Sequence, residues 1–256
     1  MGERRAVVTG ASGGVGRALV AALASRGIRV LALGRDAARL AECEAVDPAL
    51  ISGLAVDLTS PDGVARVRER VLALGGLSML VHSAAVIEPI APLAELDREE
   101  FRNAYAINVE APLFLTQALL GSLSSGARIL HLSSGAAHMP LAGCLAYCST
   151  KAAFHMIYRG LQVELAAQGV SVGSASPGSV DTEMQAALRN ADPRALADVE
   201  RFRELERRGE LVTPARAARF LSWLLLDCDT ERFARRDWSI HDAELQPDWD
   251  GSEATP

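Results

Sequence analysis

The chain has 256 residues, 49% of them hydrophobic and 23% charged, with a formal net charge of −6 and a pI near 5.5. That balance fits a globular protein with a substantial core. The acidic excess argues against nucleic acid and anionic membrane surfaces, which select clustered Lys and Arg. Cysteines at 43, 144, 148 and 228 show neither CxxC nor zinc-ligand spacing. They read as reduced thiols filling small sites, which fits a cytoplasmic protein. An apolar strand pattern begins at Ala6, leaving no room for a signal peptide, and Ala6 occupies the Ser/Thr position that a myristoylation signal at Gly2 needs. The longest uncharged run, 71–87, is interrupted by Gly75-Gly76 and carries Ser78, His82 and Ser83. It is expected to form a helix end, a turn and a buried strand rather than a membrane span.

In chain order, short β-branched or leucine-rich runs at 6–9, 28–33, 51–56, 78–82, 128–132 and 170–175 predict buried strands. Helical periodicity fills the intervals at 14–26, 36–44, 60–74, 97–123 and 149–168. Ser60-Pro61-Asp62 and Asp97-Arg98-Glu99-Glu100 mark two helix starts, each with a capping side chain and early acids. Such alternation predicts a doubly wound parallel sheet of about seven strands, with helices on both faces, in one domain over 1–245. From 177 to 209 the pattern becomes a loop and helical pieces, with Ala195, Val199, Phe202 and Leu205 forming one apolar stripe. Thr213-Pro214 opens a further helix to about 227, and 238–241 suggests a last strand. The polar stretch 246–256 is expected to fray.

Between the first strand and first helix stands Thr9-Gly10-Ala11-Ser12-Gly13-Gly14-Val15-Gly16. Glycines at such a turn let backbone N–H groups approach a pyrophosphate, and the helix dipole favours its charge. The second strand ends in Leu33-Gly34-Arg35-Asp36. Gly34 takes the slot where a carboxylate holds the ribose 2′-hydroxyl of NAD(H), and the adjacent Arg35 suits the 2′-phosphate of NADP(H). Asp36 reads as the cap of the next helix. Asp57, before Leu58, reads from the residues alone as a capping or turn residue.

Tyr147 and Lys151 are four residues apart, one above the other on a helix face. A free phenol with a pKa of about 10 shuttles protons poorly near neutrality, and a neighbouring ammonium would lower it. Ser134 stands thirteen residues before Tyr147, at the end of the fifth strand, and Asn108 lies within Ile107-Asn108-Val109. Pro177-Gly178-Ser179-Val180-Asp181-Thr182 follows the sixth strand.

These stations, in this order over roughly the first 185 residues, resemble the short-chain dehydrogenase/reductase family. The resemblance implies a Rossmann-type fold and a nicotinamide cofactor held by Gly10, Ser12, Gly13, Gly14, Val15, Gly16, Arg35, Asp57, Leu58, Ser83, Ala84, Tyr147, Lys151, Pro177, Gly178, Val180 and Thr182. It also implies that Ser134 steadies the substrate carbonyl and that Tyr147 gives up the proton. Lys151 then lowers the Tyr147 pKa and holds the nicotinamide ribose, while the Asn108 backbone carbonyl supports a proton-refilling water. No metal is called for, and the histidines at 131, 138, 155 and 241 show no metal-ligand spacing. His82-Ser83-Ala84-Ala85 departs from the family's Asn-Asn-Ala-Gly, with His82 read as a core residue. Gly13 departs from the many NADP-linked members that carry a basic residue there.

Residues 180–185 and 205–212 resemble the sepiapterin reductase and benzil reductase branch. There the segment corresponding to 179–210 covers the substrate, making Met184, Gln185 and Leu188 candidate pocket walls; a surface helix with an apolar face is the alternative. Ser239, near Asp237 and Asp242, stands where sepiapterin reductases carry a carboxylate, which favours a less polar ketone or diketone over a pterin. The leading expectation is an NADP(H)-dependent carbonyl reductase acting on a small molecule. An NAD-linked alcohol or sugar dehydrogenase, or a non-catalytic NADP-binding sensor, are the other readings. A homodimer or homotetramer through the helices of Asn108 and Tyr147 is implied, with Leu113, Phe114, Leu119, Phe154, Ile157 and Leu161 either at that surface or in the core.

Overall fold

Period-two alternation along the central strands sends their side chains into two separate cores. In the computed structural model, which describes residues 4–250, Ala6 and Val8 of β1 (Arg5–Thr9) face one layer and Val7 the other. In β2 (Arg29–Gly34), Val30 and Ala32 join the first layer, Leu31 and Leu33 the second. The sheet has seven parallel strands in the order β3-β2-β1-β4-β5-β6-β7. The remaining strands are β3 (Ile51–Ala55), β4 (Leu77–His82), β5 (Leu123–Leu132), β6 (Ser171–Ser176) and β7 (Asp237–Ser239). This is the expected doubly wound architecture, and the order reverses between β1 and β4. At such a switch point the loops leave in opposite directions and open a crevice at the strands' carboxyl ends.

Helices α1 (Gly14–Ala24) and α2 (Ala37–Glu44) contribute to the first layer, with α9 (Pro214–Leu226). α3 (Pro61–Leu74), α5 (Ala111–Leu119) and α6 (Leu145–Leu165) cover the other face. The caps act as anticipated: the Ser60 hydroxyl accepts from Gly63, and the Asp97 carboxylate from Glu99 and Glu100. Leu119 and Phe154 are core residues, whereas Phe114 is exposed and remains available at the surface.

Several elements differ from the sequence expectation. The long helix over 97–123 is α4 (Arg98–Tyr105), a π-turn over Ala106–Glu110, then α5 and a 3₁₀ turn at Leu120–Ser122. Pro112 has no N–H to offer the Asn108 carbonyl four residues earlier, so regular α-helix is not sustained there. β5 begins at Leu123 rather than 128, because Leu77 pairs with Leu123 before the register shifts to Met79 opposite Arg128. The polar stretch from Gln246 does not fray over its described part: the short helix Gln246–Trp249 docks Trp249, 7% exposed, on Phe220 with ring centres 5.1 Å apart. Asp250 meanwhile pairs with Arg216 and Arg219. Residues 1–3 and 251–256, which include Gly2 and the end of the expected tail, lie outside the described residues.

Candidate active site

A cleft of about 840 Å³ runs along the carboxyl ends of the strands. The glycine-rich turn forms its floor, with Gly10, Ser12, Gly13, Gly14, Val15 and Gly16 all lining it. Gly10 has φ +67°, and a Cβ there would sit 2.8 Å from the Ala84 backbone. A Cβ on Gly16 would collide with the Gly10 carbonyl, so α1 can begin this close to the turn only with glycine. The Thr9 hydroxyl oxygen accepts from the N–H groups of Ser83 and Ala84, both at 3.0 Å, joining the β1 and β4 ends across the switch point. Two glycines without room for a methyl beside a helix N-terminus make a cradle that suits a pyrophosphate.

At the β2 end, Arg35 lines the cleft and Asp36 caps α2, accepting from the N–H groups of Ala38 and Arg39. Arg39 was not singled out from the sequence, yet it also lines the cleft. Its guanidinium lies 3.7 Å from where a Gly13 Cβ would stand. Basic charge therefore reaches the loop position that Gly13 leaves bare, but from α2. Arg39 also pairs with Glu183 at 2.6 Å, linking α2 to α7 (Glu183–Asn190) and holding the Glu183 carboxyl below its ordinary range. Asp57 lines the same end with Leu58, and its Oδ1 accepts from the Thr59 N–H and hydroxyl at 2.9 and 2.8 Å. Those bonds pull its pKa down, so the turn role expected of Asp57 is present at the cleft wall.

Deeper in, α6 begins at Leu145, four residues earlier than anticipated, after Gly143 turns the chain with φ +85°. Tyr147 and Lys151 thus share the first turns of one helix. Tyr147 is 8% exposed and Lys151 5%. Ser134 lines the cleft with the Tyr147 phenol, and its side chain favours the ionised form of that phenol. Lys151 Nζ donates to the Leu132 carbonyl at 2.8 Å and lies 5.6 Å from the centre of the Tyr147 ring. Burial pushes the phenol up to about 12, against a lowering by the Ser134 side chain. Burial likewise pulls Lys151 down to about 8. Desolvation thus dominates the phenol, and what lowering there is comes from Ser134 rather than from the ammonium expected from the sequence.

Asn108 lies in the π-turn, buried, and its side chain acts as a brace. Its Oδ1 accepts from the Val86 N–H at 2.8 Å, and Nδ2 donates to the Val86 carbonyl at 2.9 Å and to Thr150 Oγ1 at 3.0 Å. The Thr150 hydroxyl donates to the Tyr147 carbonyl at 2.8 Å, which ties the segment after β4 to the helix of the phenol. His82 is buried with Nε2 2.8 Å from Thr116 Oγ1. That hydroxyl donates to the Pro112 carbonyl, so its oxygen accepts and His82 carries its proton on Nε2. Burial lowers His82 to about 3, leaving it a neutral packing residue.

The far end of the cleft is largely apolar, with Asp198 and Arg201 also lining the cleft. Met184, Gln185 and Leu188 of α7 line it, as do Pro177, Gly178, Val180 and Thr182 before them. Phe202 from α8 (Val199–Arg207) and Ile87 after β4 pack with Tyr147 and Leu188 in one cluster. The sequence showed Phe202 as part of a helical stripe but not what the stripe faced. Gln185 is 4% exposed, and its Nε2 has no partner. Ser239 lines the cleft, whereas Asp237 turns towards His138 and Ser174. Cys144 packs in the same cluster, its thiol pushed up to about 12 by burial, which makes it a filler rather than a nucleophile.

The family model described as short chain dehydrogenase matches residues 4–193. Benzil reductase ((S)-benzoin forming) of Bacillus subtilis is 31% identical over 219 residues, covering 81% of this chain and 87% of that protein. D-erythrulose reductase of Gallus gallus is 34% identical over 189 residues, covering 71% and 73%. Among solved structures, KRED1-Pglu superposes with a TM-score of 0.85 at 29% identity, covering 92% of this chain and 99% of that one. A Saccharomyces cerevisiae short chain dehydrogenase/reductase, YIR035C, gives 0.89 at 25% identity, covering 96% and 99%. No helix among the described residues is long and apolar enough to cross a membrane. With the family model matched over residues 4–193 and relatives above 30% identity over most of both chains, the chain is a short-chain dehydrogenase/reductase, an oxidoreductase acting between alcohol and carbonyl.

Proposed function

We propose that the protein is an NADP(H)-dependent carbonyl reductase acting on a small ketone or diketone. The observation that carries this reading is the convergence of Ser134 with the buried Tyr147 and Lys151 of α6 on one cleft. Burial keeps the phenol protonated at neutral pH, the form required to donate a proton to a reduced carbonyl oxygen. Ser134 stands beside it as a second donor for the developing alkoxide. Lys151 supplies the nearby positive charge that stabilises a phenolate once the proton has left. Asn108 holds the Val86 backbone and, through Thr150, the first turns of α6.

The cradle of Gly10 and Gly16, with Ser12, Gly13, Gly14 and Val15, would hold the cofactor pyrophosphate. Asp57, Leu58, Ser83 and Ala84 would line its adenosine, and Pro177, Gly178, Val180, Thr182 and Lys151 its nicotinamide half. When bound, the nicotinamide supplies the hydride. Arg35 and Arg39 at the β2 end, with Gly34 in place of a carboxylate, favour the 2′-phosphate of NADP(H) over NAD(H). Walls of Ile87, Leu141, Met184, Leu188 and Phe202, together with Gln185, suit a largely apolar carbonyl compound. The likeness to a protein named for reducing benzil, an aromatic diketone, points the same way.

The test is the initial rate of NADPH and NADH consumption over ketones, diketones and sepiapterin, with Tyr147→Phe as control. We expect NADPH to be preferred. The variant should bind NADPH within about threefold of the parent and lose turnover by about 100-fold or more. Undiminished turnover in Tyr147→Phe would remove the phenol from the mechanism. A preference for NADH with a sugar alcohol would favour an NAD-linked dehydrogenase; the likeness to a protein named sorbitol dehydrogenase, 33% identical over 186 residues, is the reason to include such a substrate.

A further inference from the structure

Three side chains of metal-ligating type, from three different elements, converge outside the cleft. His138 follows the 3₁₀ turn Gly135–Ala137, His155 lies on α6 one turn beyond Lys151, and Asp237 opens β7. His138 Nε2 stands 2.9 Å from Asp237 Oδ2, and His155 Nδ1 3.6 Å from the same oxygen. All three donor atoms lie within 4.8 Å of one another. Tetrahedral zinc with bonds of about 2.0–2.2 Å places its donors about 3.4 Å apart. The two measured separations bracket that value, so small side-chain rotations would close the set.

We propose that His138, His155 and Asp237 form a binding site for a zinc-class divalent transition metal. The donor chemistry selects the ion: two imidazoles and one carboxylate suit Zn²⁺, Co²⁺ or Ni²⁺, whereas Mg²⁺ and Ca²⁺ favour sites built wholly from oxygen. The carboxylate is held for the purpose, because the Ser174 hydroxyl donates to its Oδ1 at 2.6 Å and leaves Oδ2 facing the imidazoles. The β6–β7 register sets Ser174 opposite Asp237 and makes that bond part of the sheet edge. The His155 Nδ1 is buried without a hydrogen-bond partner, a cost that a bound cation would relieve. The His138 side chain is half exposed, which gives the ion an entry path and leaves a fourth position to water.

A metal here would act on the neighbouring cleft without taking part in it. His138 sits four residues past Ser134, and Met139, Pro140 and Leu141, which line the cleft, follow directly. Clamping His138 to β7 and α6 would therefore restrain the segment between Ser134 and the pocket wall. The binding readout does not depend on the reductase reading.

The experiment uses the full chain, free of any histidine tag and stripped of metal, dialysed against Zn²⁺, Co²⁺ or Mg²⁺ and analysed for bound metal. We expect one Zn²⁺ per chain, a visible absorption band for the Co²⁺ form, and no stoichiometric Mg²⁺. At a hundredfold excess over Kd, Zn²⁺ should raise the Tm by about 5 °C. His138→Ala and His155→Gln should each weaken Zn²⁺ binding by about tenfold or more. His138 is half exposed on a turn, and its melting without metal will show that the variant is folded. Absence of stoichiometric zinc, or zinc uptake that survives both substitutions, overturns the proposal.

Discussion

Lys151 donates through Nζ to the Leu132 carbonyl at 2.8 Å, which anchors its ammonium at the end of β5, beside the strand that leads to Ser134. The bond satisfies one of its three donors, yet burial still holds the group at about 8 against an ordinary 10.5. The native fold therefore disfavours the charge it keeps there.

That disfavour has a defined pH window. Below about pH 8 folded and unfolded chains both carry the proton, and the full cost is present. Between about 8 and 10.5 the native chain has released the proton and the unfolded chain has not, so stability rises with pH. Lys151→Met removes the charge and gives up the bond to Leu132. We expect this variant to be more stable than the parent by about 1–3 kcal/mol near pH 7, with the gap narrowing towards pH 10. Urea denaturation at both pH values measures it, and activity should be lost throughout. A gap that did not change with pH would mean that the charge is not its source.

Arg35 and Arg39 give the cofactor preference a second test. Arg35→Ser and Arg39→Ser should each raise KM for NADPH by about tenfold or more and leave that for NADH within about twofold. Glu183→Gln releases the Arg39 guanidinium from its 2.6 Å partner and should lower KM for NADPH. Parallel losses with both cofactors would place the arginines in general folding rather than in phosphate recognition.

Gln185 presents an unpartnered Nε2 between the apolar side chains of Met184, Leu188 and Phe202 that line the cleft. A second carbonyl oxygen on the substrate would satisfy it. Gln185→Leu should lower kcat/KM for a diketone by about 5–30-fold, the worth of one hydrogen bond, and change that of a matched monoketone less than about twofold. Steady-state kinetics on the pair decide the matter; equal losses would assign Gln185 to packing.

Trp249 lies where the sequence suggested fraying, yet it packs on Phe220 with the Arg216 guanidinium 5.4 Å from its ring centre. Trp249→Ala should cost about 2–4 kcal/mol, and truncation after Leu245 at least as much. Thermal melts are the check. An unchanged Tm would return the segment to the status of a loose tail.

Much of the fold could be read directly, since strand and helix periods are local properties of a few consecutive residues. The glycine turn, the caps at Ser60 and Asp97, and the Tyr147–Lys151 pair are likewise local. The π-turn at Asn108 was obscured because apolar periodicity continues through Pro112 even though the hydrogen-bond ladder does not. The start of β5 was missed because Leu123–Ala127 is rich in serine and glycine and is recruited by Leu77 across the sheet. Arg39 and Phe202 were invisible as site residues because each meets the cleft through a contact distant in sequence. His138, His155 and Asp237 show no ligand spacing along the chain for the same reason.

The sequence by itself determined the layered architecture, the place of the crevice and the chemical types at its inner end, because these follow from short-range pattern and chain order. Only the tertiary structure decided which groups are dry. Desolvation depends on everything packed around an atom, and it sets the protonation of Tyr147, Lys151 and His82 more strongly than any neighbour the sequence places beside them.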